Sequence, residues 1–362
     1  MNEERLARIL ETLSFPAPSW ADFAKGGQSR RKWLVHWFRD MPMDGLQWLT
    51  FHVLSVLPIG FVSAFGGFFA RLVAPRLFPD AMHRTLTNLR WLEPTWSEAK
   101  VRQVAERHFD GIGRLRAEFC ILHRLVPAGR VSVENGELAR KTMQDGPVIL
   151  VGMHLANWEV LSPVMAEFGI PVFDVYEPQP SRMQTRLALK VRARTGPEGS
   201  VAYARSGNAA RAAVKWLKEG GALIMFCDEA VKEVSAAPFF GRPPHLGSNY
   251  AFAARLARMT NATLLPFHAL RHRGCRFTLR FGEPLRLAPA DRPDECLLGD
   301  VALLNGIVEP VVQAHLDQWF WLDWGFANVK SGGSTTHALP DGGRPARTWM
   351  LARAGRPRSG RR

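Results

Sequence analysis

Between Gly146 and Phe281 short apolar runs alternate with helical segments that close on glycine, which restricts the chain to helices packed on a sheet. GPVILVGM, Gly146 to Met153, suits a buried strand, and Trp158 to Phe168 reads as a helix ending at Gly169. PVFDVY is the next strand, followed by a helical stretch from Ser181 to Arg194. Ser206 caps a further helix through Lys218 that stops at Gly220 and Gly221, and ALIMFC, Ala222 to Cys227, is another buried strand. A helix around Tyr250 to Met259, strands at Thr263 to Ala269 and Arg276 to Phe281, and a long helix from about Val301 to Trp319 complete an α/β domain.

Composition narrows the class. Over 362 residues, 46% are apolar and 22% charged, which excludes global disorder and a polytopic membrane protein. The formal charge of +14 points to anionic counterparts: a membrane surface, an acidic protein or nucleic acid. Four cysteines (Cys120, Cys227, Cys275, Cys296) without CxxC spacing support neither a disulfide scaffold nor a zinc site. The start, MNEERLARILETLSF, is acidic at once and does not read as a signal peptide.

Residues 1–81 form an expected N-terminal helical, membrane-associating region. Within it, 46–70 carries no formal charge for 25 residues, more than the ~20 a membrane span needs. Its polar residues and Pro58 dilute the signal toward an interfacial or buried helix pair broken near Pro58. RRKWLVHWFRD, Arg30 to Asp40, mixes cations with Trp33, Trp37 and Phe38 as a lipid headgroup interface requires, or forms a solvated basic helix. From 330 to 362 the chain reads as a disordered tail with eight cations against Asp341 alone.

The junction GMHLANWEV holds the chemistry. His154 follows a buried strand, where an imidazole is well placed as a general base; Asn157 is an expected N-cap and a candidate substrate-binding side chain, and Glu159 falls in the first helical turn. Five helical residues turn about 500°, so His154 and Glu159 share no helical face, and they pair only if His154 folds back from outside the helix. Asp228, after ALIMFC, is the competing carboxylate if its strand neighbours the first. Arg192, Arg194 and Arg242 are candidates for binding substrate anions, against the plain reading of dipole-matching or solvated arginines. No phosphate-loop, GxSxG or HExxH motif occurs, so neither nucleotide nor metal is expected. Cys227 reads as packing.

Six ordered blocks carry a resemblance: VGMHLANWEV, YEPQPSRMQTRLALKVRARTG, LKEGGALIMFCDEA, APFFGRPP, LARMTNATLLPF and HLDQWFWLDW. Together, over residues 82–324, they resemble the bacterial lipid A biosynthesis lauroyl and myristoyl acyltransferases of the lysophospholipid acyltransferase superfamily. The resemblance implies a glycerolipid-acyltransferase-like domain over 82–325, a mixed central sheet flanked by helices. It also implies transfer of a fatty acyl chain from acyl carrier protein to a glycolipid hydroxyl at the cytoplasmic face of the inner membrane, with no cofactor beyond the acyl donor. The family's HxxxxD/E motif maps onto His154 and Glu159, while a related branch uses a carboxylate matching Asp228. Arg194 and Arg242 would bind anionic substrate groups. Two departures, PPHLGSN after FFGR and LDWGFAN after QWFW, leave the acceptor open. The alternatives are the same fold with another lipid acceptor or acyl-CoA, and a catalytically silent basic protein that binds membrane or nucleic acid. No specific nucleic-acid partner is expected.

Overall fold

The computed structural model describes residues 17–176, 181–204, 207–228, 230–231, 234–289 and 292–326. The basic tail expected over 330–362, the first 16 residues and Ser206 lie outside them. In chain order the strands are β1 (Val131–Glu134), β2 (Val148–Gly152), β3 (Val172–Tyr176), β4 (Val201–Ala204), β5 (Ala222–Phe226), β6 (Ala230–Val231), β7 (Val234–Ser235), β8 (Thr263–His272), β9 (Arg276–Phe281) and β10 (Gly325–Phe326). Seven of them form one sheet in the order β1-β9-β8-β2-β5-β3-β4, and β10-β7-β6 form a small second sheet. From β8 to β4 all neighbours are parallel; β9 is antiparallel to β8 and β1 parallel to β9, so the sheet is mixed.

Helices cover both faces of the centre, which is why β2 is buried at every residue and reads as an unbroken apolar run. Edge strand β1 alternates half-buried and exposed residues over only four positions, too short to stand out in the sequence. The helix expected from Trp158 is a 3₁₀ turn, Trp158–Val160, continued by Leu161–Phe168, and Gly169 closes it at φ 67°. Ser181 accepts a hydrogen bond from the Gln184 amide at the head of Arg182–Thr195. The last long helix departs from expectation. It runs Pro293–Ala314, starting on a proline that suits a first turn, and the chain breaks at His315. Trp319 is therefore outside the helix, in extended backbone and fully buried, pairing with Leu155 across a β-bridge.

The N-terminal region is helical wherever it is described. Met41–Val56 and Ile59–Leu77 are separated at Leu57 and Pro58, where the proline was expected to break them. Among the described residues no single helix is long and apolar enough to cross a membrane; Ile59–Leu77 and Pro79–Leu92, bent by 99°, pass that test only as a pair. Ile59–Leu77 turns its small residues inward (Val62, Ser63, Gly66, Gly67, Ala70, Ala74) against the Glu98–Glu118 helix. The crossing is glycine on glycine: a Cβ on Gly66 would collide with the Gly113 carbonyl oxygen and Ala117, and one on Gly113 with the Gly66 carbonyl oxygen and Ala70. Gly113→Val is expected to lower stability by about 1–3 kcal/mol through overpacking, read as a fall in the urea midpoint. Gly60→Val is the control, because nothing lies within 4 Å of its Cβ position. An unchanged midpoint in Gly113→Val would mean that the helices are not held at this crossing.

Candidate active site

Parallel pairing of β2 with β5 matches Gly152 to Phe226, and two residues further on it brings His154 and Asp228 level at the carboxyl edge of the sheet. Asp228 is fully buried, and the His154 side chain is 12% exposed. His154 Nδ1 lies 2.9 Å from Asp228 Oδ1, and the His154 amide donates to Oδ2 at 2.7 Å. The Trp319 indole N–H donates to the same Oδ2 at 2.9 Å. Every neighbour of this carboxylate is thus a donor, the environment that an acceptor-only group requires.

The Trp321 indole nitrogen also sits 3.0 Å from His154 Nδ1. Nδ1 has one in-plane position, and an indole N–H only donates whereas a carboxylate only accepts, so the two contacts compete. The buried carboxylate takes the position, because a lone pair facing it would be repelled. Nδ1 then carries the proton, and Nε2 holds a lone pair that meets no protein donor among the described residues. Phe226 stacks on the imidazole at 4.1 Å between centroids, and Trp158 and Trp321 meet it edge-on at 4.8 and 5.2 Å, which fixes the ring plane. An imidazole held this way can remove a proton from a hydroxyl that reaches Nε2.

Glu159 does not reach His154. Its carboxylate is taken by Arg192, with contacts at 2.6 and 3.2 Å, and Arg192 also lies 3.5 Å from Asp174. Burial opposes the charge on Arg192, but Glu159 and Asp174 hold its pKa above the ordinary arginine range. HxxxxE therefore separates into an imidazole on the sheet edge and a carboxylate tied to the Arg182–Thr195 helix, because His154 lies outside the helix that Glu159 begins. Asn157 does not cap that helix. It is fully buried, and its Nδ2 donates 3.0 Å to Glu118 Oε2.

The remaining arginines are placed away from the imidazole. Arg194 is exposed on the last turn of its helix, where a cation complements the helix dipole. Arg242 donates to the carbonyls of Phe239 (2.7 Å), Pro238 (2.6 Å) and Ser235 (3.3 Å) and lies over the Phe326 ring; burial lowers its pKa to about 10. It holds the FFGRPP loop together. Among the described residues no group of three or more metal-ligating side chains comes together.

Three neighbours of the site were not singled out in the sequence. Trp319 and Trp321 belong to the QWFW run, whose aromatic density was the available signal. Glu118, the last residue of the Glu98–Glu118 helix, carried none. It is fully buried, ion-paired to Arg271, and accepts from Ser63 Oγ at 2.6 Å as well as from Asn157. Burial pushes its pKa up, yet the Arg271 charge and these hydrogen bonds hold it below the usual carboxylate value.

Behind the site, burial lowers the pKa of His108 from 6.5 to about 3 and that of His268 from 6.5 to about 4. Burial raises Asp323 from 3.8 to about 7. Between pH 6.5 and 4 the unfolded chain takes up two histidine protons that the folded chain refuses, while folded Asp323 holds one that the unfolded chain lacks. Net uptake by these three groups on unfolding is about one proton, and His123, His245 and His315, whose pKa values burial also lowers, add to it, so stability is expected to fall by ~1.4 kcal/mol or more per pH unit as pH drops through this window. Urea midpoints at pH 7, 6 and 5 measure it; a flat profile would contradict the burial of both histidines.

A family model described as bacterial lipid A biosynthesis acyltransferase matches residues 35–326, and the chain belongs to that family. It is an acyltransferase. No curated protein matches the chain. Among solved structures it is similar to the 1-acyl-sn-glycerophosphate (LPA) acyltransferase from Thermotoga maritima, at 15% identity over 76% of this chain and 96% of that chain. The TM-score of that match is 0.33.

Proposed function

We propose that this acyltransferase moves a fatty acyl chain from acyl carrier protein to a hydroxyl of a glycolipid of the lipid A precursor type. The observation that carries the reading is the His154–Asp228 pair, with Nδ1 bound and Nε2 left for the acceptor. Nε2 removes the hydroxyl proton as that oxygen attacks the thioester carbonyl. The carbon–sulfur bond then breaks, the acyl ester forms, and the imidazolium returns its proton to the departing thiolate. General-base assistance of this kind contributes roughly 10²–10⁴-fold. Asp228 keeps the tautomer and steadies the imidazolium. The acyl donor is the only co-substrate in this scheme, and acyl-CoA is the alternative donor.

The reaction belongs at the cytoplasmic face of the inner membrane in this reading. Its support is the outer side of Ile59–Leu77, where Phe61, Phe65, Phe68, Phe69 and Leu72 are each 43–59% exposed, joined by Leu46, Trp48 and Leu49. An exposed aromatic and aliphatic face of this extent suits a lipid interface, and the +14 charge suits anionic lipid and an acidic carrier protein.

Lipid mass spectrometry on cells making wild type or His154→Ala tests the reading. A glycolipid heavier by one acyl chain should appear with wild type and vanish with His154→Ala. Identical lipids from both, in a host containing the precursor, would overturn it in favour of a silent binding protein.

A further inference from the structure

Ahead of the family match, which begins at residue 35, the chain builds a short helical hairpin that the chemistry at His154 leaves unused. Its helices are Trp20–Ala24 and Gly27–Val35, the first capped by reciprocal hydrogen bonds between Ser19 and Asp22. Gly26 turns the chain between them at φ 71°, a backbone that a side chain would strain. The turn folds Trp20 back over Trp33, with ring centroids 4.6 Å apart, and Phe23, Trp37 and Phe38 surround Trp33 at 4.8 to 6.2 Å. Among the described residues, the side chains of 17–40 make their hydrogen bonds, ion pairs and ring contacts within that segment, and none ties it to the catalytic domain.

Two kinds of surface meet on this hairpin. Trp33 is 8% exposed, whereas Trp20 and Phe38, each packed against it, are 71% and 72% exposed, so one apolar patch faces outward. The cations are the second kind. Asp22 and Asp40 are taken by Lys25 and Arg39, each at 2.8 Å, which leaves exposed Arg30, Arg31 and Lys32 with no ion pair among the described residues. Beyond Arg39 the composition changes at once: from Met41 to Ala70 there is neither Lys nor Arg, and Leu46, Trp48, Leu49 and Val53 are each 49–57% exposed. Cations with tryptophan, followed by bare apolar side chains, is the order of a headgroup layer over acyl chains. A nucleic acid or an acidic protein would match the cations but not the uncharged apolar surface that continues from them.

We propose that the Trp20–Asp40 segment anchors the enzyme selectively to anionic lipid. Arg30, Arg31 and Lys32 bind the charged headgroups, and Trp20 and Phe38 supply apolar contact at the same interface. The inference rests on the membrane placement above and is independent of the proton transfer at His154.

Flotation of the full-length protein with phosphatidylcholine vesicles, with and without ~30% phosphatidylglycerol, tests it. Wild type should bind the anionic vesicles about 30-fold or more tightly than the neutral ones, a preference that ~0.5 M salt removes. Arg31→Gln combined with Lys32→Gln should cut the preference about tenfold or more, with binding to neutral vesicles and the urea midpoint unchanged. Arg140→Gln combined with Lys141→Gln removes the same charge from the exposed Gly136–Gln144 helix and should leave the preference within about twofold. Trp20→Ala with Phe38→Ala should weaken binding to both vesicle types. The proposal is overturned if the Arg31 and Lys32 variant keeps the wild-type preference, or if the Arg140 and Lys141 control loses as much. It is also overturned if a single-stranded oligonucleotide, and not the vesicle, shows the dependence on Arg31 and Lys32. Equal binding of wild type to both vesicles removes this role and leaves the membrane placement standing; binding to neither overturns both.

Discussion

Asp228→Asn is expected to lower kcat by roughly 10²–10⁴, with the fold retained. An asparagine keeps one acceptor oxygen, whereas the three donors are divided between both carboxylate oxygens, His154 Nδ1–H on Oδ1 and the His154 N–H and Trp319 indole on Oδ2. Its amide NH₂ must face one of them, and the tautomer with the proton on Nε2 becomes favoured, which removes the base. Glu159→Gln should lower kcat much less, because it alters the contact to Arg192 and leaves His154 with Asp228; Asp174 still faces the guanidinium. Steady-state kcat for the two variants, each with a pH profile, compares them. Equal losses with the same altered profile would restore Glu159 as the imidazole's partner.

Arg271→Met is expected to destabilise the fold by about 3–5 kcal/mol, the usual result of leaving one member of a buried ion pair uncompensated. Glu118 is fully buried, and Arg271 supplies the charge facing it, with a second contact at 2.7 Å. Ser63 and Asn157 are neutral donors and cannot replace that charge. The same carboxylate ties together the Ile59–Leu77 helix through Ser63, the His154 loop through Asn157 and β8 through Arg271. Adding Glu118→Gln to Arg271→Met should recover much of the loss, since a neutral amide no longer needs a cation. Urea denaturation of the two singles and the double completes the cycle; a loss below about 1 kcal/mol in Arg271→Met would show that the pair is not buried as described.

Much of the sheet was legible because its central strands are buried on both faces. β2, β3, β5, β8 and β9 stand out as short apolar runs at the expected places, and Gly169 closes its helix as read. β1 and β4 escaped notice, each four residues long, and β1 is half-exposed. The end of the last long helix was misplaced because apolar residues at 316–322 continue the helical signal. They are apolar for a different reason, as a buried segment laid against the His154 loop.

At the candidate site, local sequence determined which residue types lie where strands end: His154 after one apolar run and Asp228 after another. It also determined that His154 and Glu159 could share no helical face. Strand order lay beyond it, since pairing β2 with β5 joins segments about 74 residues apart and depends on the packing of the whole sheet. Only that pairing decided between the two carboxylates, and only the fold around it turned Arg192 and Arg242 inward. Side-chain chemistry is written residue by residue, whereas the partner of a charge is whichever group the tertiary structure carries to within a few ångströms.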